Sequence, residues 1–297
     1  MLRAENHSAS HKAACMQVVS QSETSVLDGH AISREDPHAV ANREAGLLAR
    51  NHGGWIMSRD RVEMLYGVDA TKSGWVVARA TPDLSEIGLY LVPELEPLFW
   101  RVIRDDGLLA IDIPIGLPES GPRTCDRAAR RALGQPRGSS VFPAPMRSTL
   151  KATSYTEACD LSQEASGRKL SRQTWNLLPK IREVDSRIWV ERQERIFEAH
   201  PEISFMCLAG SDRGLSSNKK RPEGKHKRHE LLGTAFPDVD LDTVLASLPN
   251  RLAALDDRLD ALACLFTASR IHHGTALRFP GASVEFDSRS LRMEIYG

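Results

Sequence analysis

The chain has 297 residues, enough for one large domain or two small ones, and 41% of them are apolar, as in an ordinary globular protein. It carries 39 basic and 39 acidic residues, so its zero net charge gives no overall attraction to nucleic acid, and any such binding needs a local patch. Five widely spaced cysteines without a C-x-x-C pair argue against a disulfide framework and against a structural zinc site. No apolar run approaches the ~20 residues of a membrane span. We therefore expect a cytoplasmic protein with reduced thiols and no membrane contact.

Residues 1–63 differ in composition from the rest of the chain. They are rich in Ser, His, Ala, Asn and Glu and contain few large apolar residues. This composition predicts a poorly ordered N-terminal extension, with a short helix at residues 37–50. Met64 directly precedes the first predicted strand, so it is also a candidate for the natural start of translation. The folded domain is predicted to span residues 64–297.

The first strong pattern predicts a β-hairpin between Met64 and Ala78. An apolar run ends in Asp69, small and polar residues follow, and a second apolar run begins at Trp75. Asp69 has two interpretations. It is either a turn residue that bonds its own backbone, or a buried carboxylate that must be paired or hold a metal. Taken alone, the pattern favours the turn residue.

A second acid follows a second buried strand. The sequence predicts a third strand at Ile87–Val92, a helix at Glu94–Arg104 and a wholly apolar strand at Leu108–Ile111, after which Asp112 stands. A strand–helix–strand unit favours a right-handed crossover with parallel pairing. We therefore expect Asp69 and Asp112 to lie side by side at one edge of the sheet.

The next part of the chain is mainly helical. The predicted elements are a basic helix at Arg123–Leu133 ending at Gly134, a loop at Gln135–Pro145, and helices at Tyr155–Ser166 and Ser171–Val190. The loop either lines a site or is a plain surface connection. On the last helix, Lys180 and Arg182 are candidates for phosphate contact, although most charges of that helix are expected to face solvent.

A short strand, Arg195–Ala199, precedes a helix that begins at Pro201. Glu198 and Glu202 bracket the end of this strand, so each is a candidate for a further acid in the site. An acid in the first turn of a helix is also an ordinary stabilising feature. Both interpretations of Glu202 stay open.

The segment Ser211–His229 is polar and basic. Its candidates for nucleic-acid contact are Lys219, Lys220, Lys225 and Arg228. Lysine and arginine supply the part of nucleic-acid affinity that does not depend on sequence. A solubilising loop and helix face explains the same composition equally well.

The last strong pattern predicts a helix at Leu255–Gly274 that is apolar on all faces and therefore buried. Its first turns carry Asp256, Asp257 and Asp260. The favourable interaction of aspartate with a helix N-terminus explains one or two of them, but it does not explain Asp260 within the buried run.

These acids predict a metal site if they converge. Three or four carboxylates in a small volume repel one another unless a divalent cation neutralises them. Ligation by oxygen alone suits Mg²⁺ or Mn²⁺. Two such ions ~4 Å apart can activate water and stabilise the leaving oxygen in phosphodiester hydrolysis.

The chain also resembles a known family. The motif D-x-x-D-A-L-A, Asp257–Ala263, resembles the last helix of Holliday-junction resolvases in the RNase H-like superfamily. More closely, the chain resembles the family called domain of unknown function 429, described as predicted RNase H-like nucleases. The matching stretches are GVDATKSGWVVA, IDIPIGLP, CDRAARRALG, SSVFPAP, LPKIREVD, EAHPEISF, the region Ser217–Lys220 and DDRLDALA.

The resemblance implies an α/β protein of RNase H-like fold, with a five-stranded mixed sheet flanked by helices and a helical insertion. It implies that Asp69, Asp112, Asp257 and Asp260 are catalytic metal ligands for Mg²⁺ or Mn²⁺, with Glu202 or Asp256 as a possible additional acid. The implied function is a nuclease of DNA or RNA. Two alternatives remain on the same fold, an ATP-dependent phosphotransferase and a non-catalytic nucleic-acid-binding protein.

Overall fold

The computed structural model describes residues 62–281 and 283–297, so the predicted extension, apart from Val62 and Glu63, and its short helix lie outside the described residues. One five-stranded sheet has the order β3-β2-β1-β4-β5. Its strands are β1 Leu65–Thr71, β2 Gly74–Ala80, β3 Ile87–Val92, β4 Leu108–Ile111 and β5 Ile196–Glu198. Strand β1 is antiparallel to β2 and parallel to β4, and β4 is parallel to β5. The predicted mixed sheet and the parallel pairing of the two acid-bearing strands are confirmed.

The hairpin of β1 and β2 closes with a two-residue turn, because Thr71 pairs with Gly74. Gly74 has φ +150°, and a Cβ at this position would lie 2.1 Å from the carbonyl oxygen of Val92, so only glycine fits there. Asp69 lies within the ladder opposite Val76, two residues before the strand ends. Its position is therefore in the strand and not in the turn.

Eight helices surround the described sheet. They are α1 Glu96–Arg104, α2 Thr124–Arg137, α3 Tyr155–Ser166, α4 Arg172–Arg187, α5 Pro201–Leu208, α6 Pro222–Ala235, α7 Leu241–Ser247 and α8 Leu255–His272. Helices α2, α3 and α4 all lie in the connection from β4 to β5. The backbone of α2 leaves helical geometry at Gly134, where the sequence predicts the end of the basic helix. Helix α7 is not among the predicted elements.

Side chains alternate between the two faces of the sheet and build two apolar layers. On β1, Leu65 packs with α6, α7 and α8, whereas Tyr66 and Val68 pack with α1 and α4. Strand β4 follows the same alternation, with Leu108 on the first face and Leu109 on the second. Because both faces of these central strands are covered, a carboxylate in either strand lies close to the interior.

The C-terminal segment docks beside β5. Two short antiparallel pairs form there, β6 Arg278–Phe279 with β9 Ile295–Tyr296, and β7 Glu285–Phe286 with β8 Arg292–Met293. Tyr296 also bridges Ala199, directly after β5. No helix of the described chain is long and apolar enough to cross a membrane.

Candidate functional site

A cavity of about 200 Å³ opens where β1 and β4 end. Five acidic residues line it, Asp69, Asp112, Glu202, Asp257 and Asp260. Lys219 and His200 line the same cavity. The structure thus brings together the four aspartates that the sequence predicts as metal ligands.

The parallel pairing of β1 with β4 places the first two acids. Val68 pairs with Ile111, and the amide of Asp112 donates a hydrogen bond to the carbonyl oxygen of Val68 at 3.0 Å. Asp69 and Asp112 are therefore each the next residue after this last pair of the ladder. Side chains at matching positions of neighbouring strands leave the same face of a sheet, so the two carboxylates are neighbours on the face that α8 covers.

Gly67 brings the third and fourth acids to this place. A Cβ on Gly67 would lie 2.0 Å from the backbone nitrogen of Leu265 and 2.2 Å from the carbonyl oxygen of Ala261. The backbone of α8 therefore crosses β1 at a distance that no side chain allows. Asp260 precedes Ala261 and lies next to Asp69 as a result. Gly67 is not among the site residues predicted from the sequence, although a glycine inside an apolar strand often marks a close backbone approach.

Burial, and after it mutual repulsion, oppose ionisation of carboxylates in the cavity. Asp69 is 8% exposed and Asp260 is 4% exposed. Burial raises the pKa of Asp69 well above its usual value, and the charges of Asp260 and Asp112 raise it further. Burial also raises the pKa of Asp112, against the opposing influence of His200. A cation close to Asp69 and Asp112 would act against both effects and favour the ionised carboxylates.

Lys219 supplies one cation from the loop before α6. Its ammonium nitrogen Nζ lies 2.7 Å from Oδ2 of Asp260. The charge of Asp260 raises the pKa of Lys219, and those of Asp69 and Asp112 add to the shift. Lys219 therefore stays protonated and balances part of the negative charge in the cavity.

Asp257 and Asp256 have different positions at the start of α8. Asp257 lines the cavity, and its carboxylate accepts a hydrogen bond from the amide of Ala254 at 3.3 Å. Burial raises the pKa of Asp257, and the charge of Asp256 adds to this effect. Asp256 itself is not among the lining residues and lies 3.9 Å from Nζ of Lys225.

Glu202 lines the cavity but is already paired. Both of its carboxylate oxygens accept hydrogen bonds from Nη2 of Arg228, at 2.7 and 2.8 Å. Arg228 is only 1% exposed, and its guanidinium also lies over the ring of Phe205. The sequence predicts that Arg228 contacts nucleic acid, but in the structure it forms an internal ion pair. The physical reason is that the buried carboxylate of Glu202 needs an opposite charge beside it.

Of the other residues predicted to contact nucleic acid, Lys180 and Arg182 also bind the protein itself. Lys180 donates to the carbonyl oxygen of Gly74 at 2.9 Å, and Arg182 donates to that of Leu150 at 2.7 Å. Both side chains hold neighbouring segments in place. Lys220 is exposed and Lys225 is half-buried, so these two remain accessible.

Glu198 is not part of the cavity. It is 6% exposed and accepts hydrogen bonds from both Nη1 and Nη2 of Arg123, each at 2.7 Å. Burial raises the pKa of Glu198 to about 7, with the charge of Arg123 acting in the opposite direction. Arg123, at the start of the predicted basic helix, is thus interior, because it neutralises Glu198 and Asp126.

Several lining residues were not singled out from the sequence. Ser140 and Phe142 come from the loop Gln135–Pro145, which supports its interpretation as a site-lining loop. His200 precedes α5, and its buried Nδ1 has no hydrogen-bond partner among the residues that the structure describes. The available signal was a histidine directly after the predicted strand Arg195–Ala199.

The donor chemistry of the cavity fits a divalent cation with few protein ligands. Within residues 62–281 and 283–297, no group of three or more His, Cys, Asp or Glu side chains is arranged to hold a metal ion. Mg²⁺ usually needs only one or two carboxylates, because water and substrate phosphate complete its octahedron. Asp69 and Asp112 offer such a pair. Neither has an ion-pair partner in the described part of the chain.

Comparison with known proteins places the chain in a family. No curated protein and no solved structure is significantly similar to it. A family model described as a protein of unknown function, DUF429, matches residues 67–285, and this span contains all five acids of the cavity. Since the match extends over more than half of the sequence, the chain belongs to the DUF429 family.

Proposed function

We propose that this protein is a metal-dependent nuclease with an RNase H-like fold that hydrolyses phosphodiester bonds of DNA or RNA. The observation that carries the proposal is the meeting of Asp69, Asp112, Asp257 and Asp260 at one cavity. They come from the first strand, the end of the fourth strand and the last long helix. This is the placement of acids that the resemblance to the RNase H-like superfamily implies.

Hydrolysis forms a bond from a water oxygen to phosphorus and breaks the bond from phosphorus to an ester oxygen, which leaves with a proton. A bound Mg²⁺ or Mn²⁺ would polarise the phosphate and lower the pKa of the attacking water. Asp69 and Asp112 would hold the ion, with Asp257 and Asp260 adding negative charge beside it. Lys219 would contribute a positive charge next to the phosphate.

The expected substrate class comes from two lysines that lie near lining residues of the cavity. Lys220 is exposed and follows Lys219 in the chain, and Lys225 lies one turn into α6. Lysines beside a cavity with an acidic floor attract the phosphate backbone without reading its sequence. A site of this kind favours a polyanion with accessible phosphodiester bonds.

Purified protein with Mn²⁺ or Mg²⁺ should cleave members of a panel of single-stranded and double-stranded DNA and RNA. Asp69→Asn should lower the rate by at least ~100-fold, because it removes a metal ligand at the reacting phosphate. The matched control is Asp160→Asn, since Asp160 is exposed on α3. Equal rates for wild type and Asp69→Asn, or cleavage that persists with EDTA, would refute the proposal.

A further inference from the structure

Lys219 pairs with one of the carboxylates that a second metal ion would need. The sequence predicts two ions, which would be shared among Asp69, Asp112, Asp257 and Asp260. In the structure, the ammonium group of Lys219 lies 2.7 Å from Oδ2 of Asp260. This distance makes a short charge-assisted hydrogen bond, and Asp260 is almost fully buried.

The charges of the lining residues divide into two sets. Glu202 is neutralised by Arg228, and Asp260 is neutralised by Lys219. Asp69, Asp112 and Asp257 have no ion-pair partner among residues 62–281 and 283–297, and the carboxylate of Asp257 accepts a hydrogen bond from the amide of Ala254 instead. Asp69 and Asp112 lie next to each other where two paired strands end, and one divalent cation would balance their two charges when both are ionised.

Building on the proposed nuclease function, we propose that the site takes one divalent ion, at Asp69 and Asp112, and that the Lys219 ammonium replaces the second ion at Asp260. Lys219 comes from a loop of the polar segment Ser211–His229 and connects this segment to α8 through Asp260. Its side chain lines the cavity and is 35% exposed. A substrate phosphate bound there would meet one metal ion and one lysine.

Replacing Lys219 should change the number of metal ions. Without the ammonium, Asp260 is left buried and unpaired next to Asp257, which lies three residues earlier on the same helix. Such a pair of carboxylates attracts a cation. We therefore expect wild-type protein to bind one Mn²⁺ and Lys219→Met to bind two.

The experiment is a Mn²⁺ titration of the full chain without substrate, in which the electron paramagnetic resonance signal of free Mn²⁺ gives the number of bound ions. Lys169→Met is the matched control, because Lys169 is exposed between α3 and α4, and it should bind one ion like the wild type. Circular dichroism and thermal melting check that each variant is folded. Two ions in the wild type would overturn the inference, and so would no bound ion.

The spectrum of the bound ions gives a second result that does not depend on any variant. Two Mn²⁺ ions ~4 Å apart would interact magnetically, whereas a single ion gives an isolated spectrum. An isolated spectrum in the wild type supports the inference, and a coupled spectrum overturns it. If one ion binds to the wild type and two bind to Lys219→Met, but no nucleic acid is cleaved, the metal count stands and the nuclease function fails.

Discussion

Replacing Gly67 with alanine should push α8 away from β1 and disturb the acidic cavity. The added Cβ would lie 2.0 Å from the backbone nitrogen of Leu265, whereas real Cβ atoms essentially never approach another heavy atom more closely than 3.0 Å. The helix must therefore move by about 1 Å even to reach the shortest acceptable contact. Backbone atoms cannot rotate away as a side chain does, so the whole helix must shift.

The cost of this overpacking should be about 3 kcal/mol of unfolding free energy, at the upper end of the usual range for an inserted methyl group. For a domain of this size, that corresponds to a fall of roughly 6–12 °C in melting temperature. Since Asp257 and Asp260 move with α8, Mn²⁺ affinity and nuclease activity should fall as well.

Gly88→Ala is the matched control for Gly67→Ala. Gly88 lies in β3 of the same sheet, and a Cβ there would meet nothing within 4 Å. Its melting temperature should stay within ~2 °C of the wild type, because an unhindered surface substitution changes stability by only about 0.5 kcal/mol. Thermal melting followed by circular dichroism compares the two variants. Equal melting temperatures for Gly67→Ala and Gly88→Ala would refute the close contact of α8 with β1.

Three further predictions concern pH, a buried ion pair and the rim of the cavity. Burial raises the pKa of Asp69 above 3.8, so the folded metal-free chain retains a proton that the unfolded chain releases. The bound proton stabilises the folded state fully below about pH 4, and this stabilisation is lost as pH rises through the raised pKa. The unfolding free energy of Asp69→Asn should therefore rise relative to that of the wild type as pH rises, by up to ~1.4 kcal/mol per pH unit. Urea unfolding at several pH values measures this difference, and a difference that does not change with pH would contradict the prediction. Arg228→Met should lower the unfolding free energy by about 3–5 kcal/mol, because it leaves Glu202 buried without a partner. Adding Glu202→Leu should restore part of this loss, and a double-mutant cycle with purely additive effects would disprove the pairing. Lys220→Met should weaken nucleic-acid binding and reduce its salt dependence, whereas Lys180→Met should leave both unchanged and lower only stability, as fluorescence anisotropy at two salt concentrations would show.

Much of the fold follows from local patterns in the sequence. The hairpin, the apolar strand before Asp112 and the buried last helix each carry a periodicity or a run that physical chemistry ties to one structure. Parallel pairing of β1 with β4 follows from the intervening helix. These features were enough to predict that Asp69 and Asp112 meet at one edge of the sheet.

The roles of the charged residues could not be predicted in the same way. Lys219 and Arg228 belong to one basic stretch and look equivalent in the sequence, yet one faces the cavity and the other pairs with Glu202 inside the protein. Arg123 and Glu198 are 75 residues apart in the chain, and their buried pairing gives no local signal. The burial of a charge depends on which opposite charge the fold places beside it.

The sequence by itself determined which elements carry the acids, because periodicity and apolar runs are local properties of the chain. Only the tertiary structure decided which acids stay unpaired. Gly67 sets the distance of α8 from β1, Lys219 reaches Asp260 from a distant loop, and Arg228 neutralises Glu202. Asp69, Asp112 and Asp257 thus remain as the lining carboxylates without an ion pair in the described chain, since electrostatic balance is a property of spatial neighbours and not of sequence neighbours.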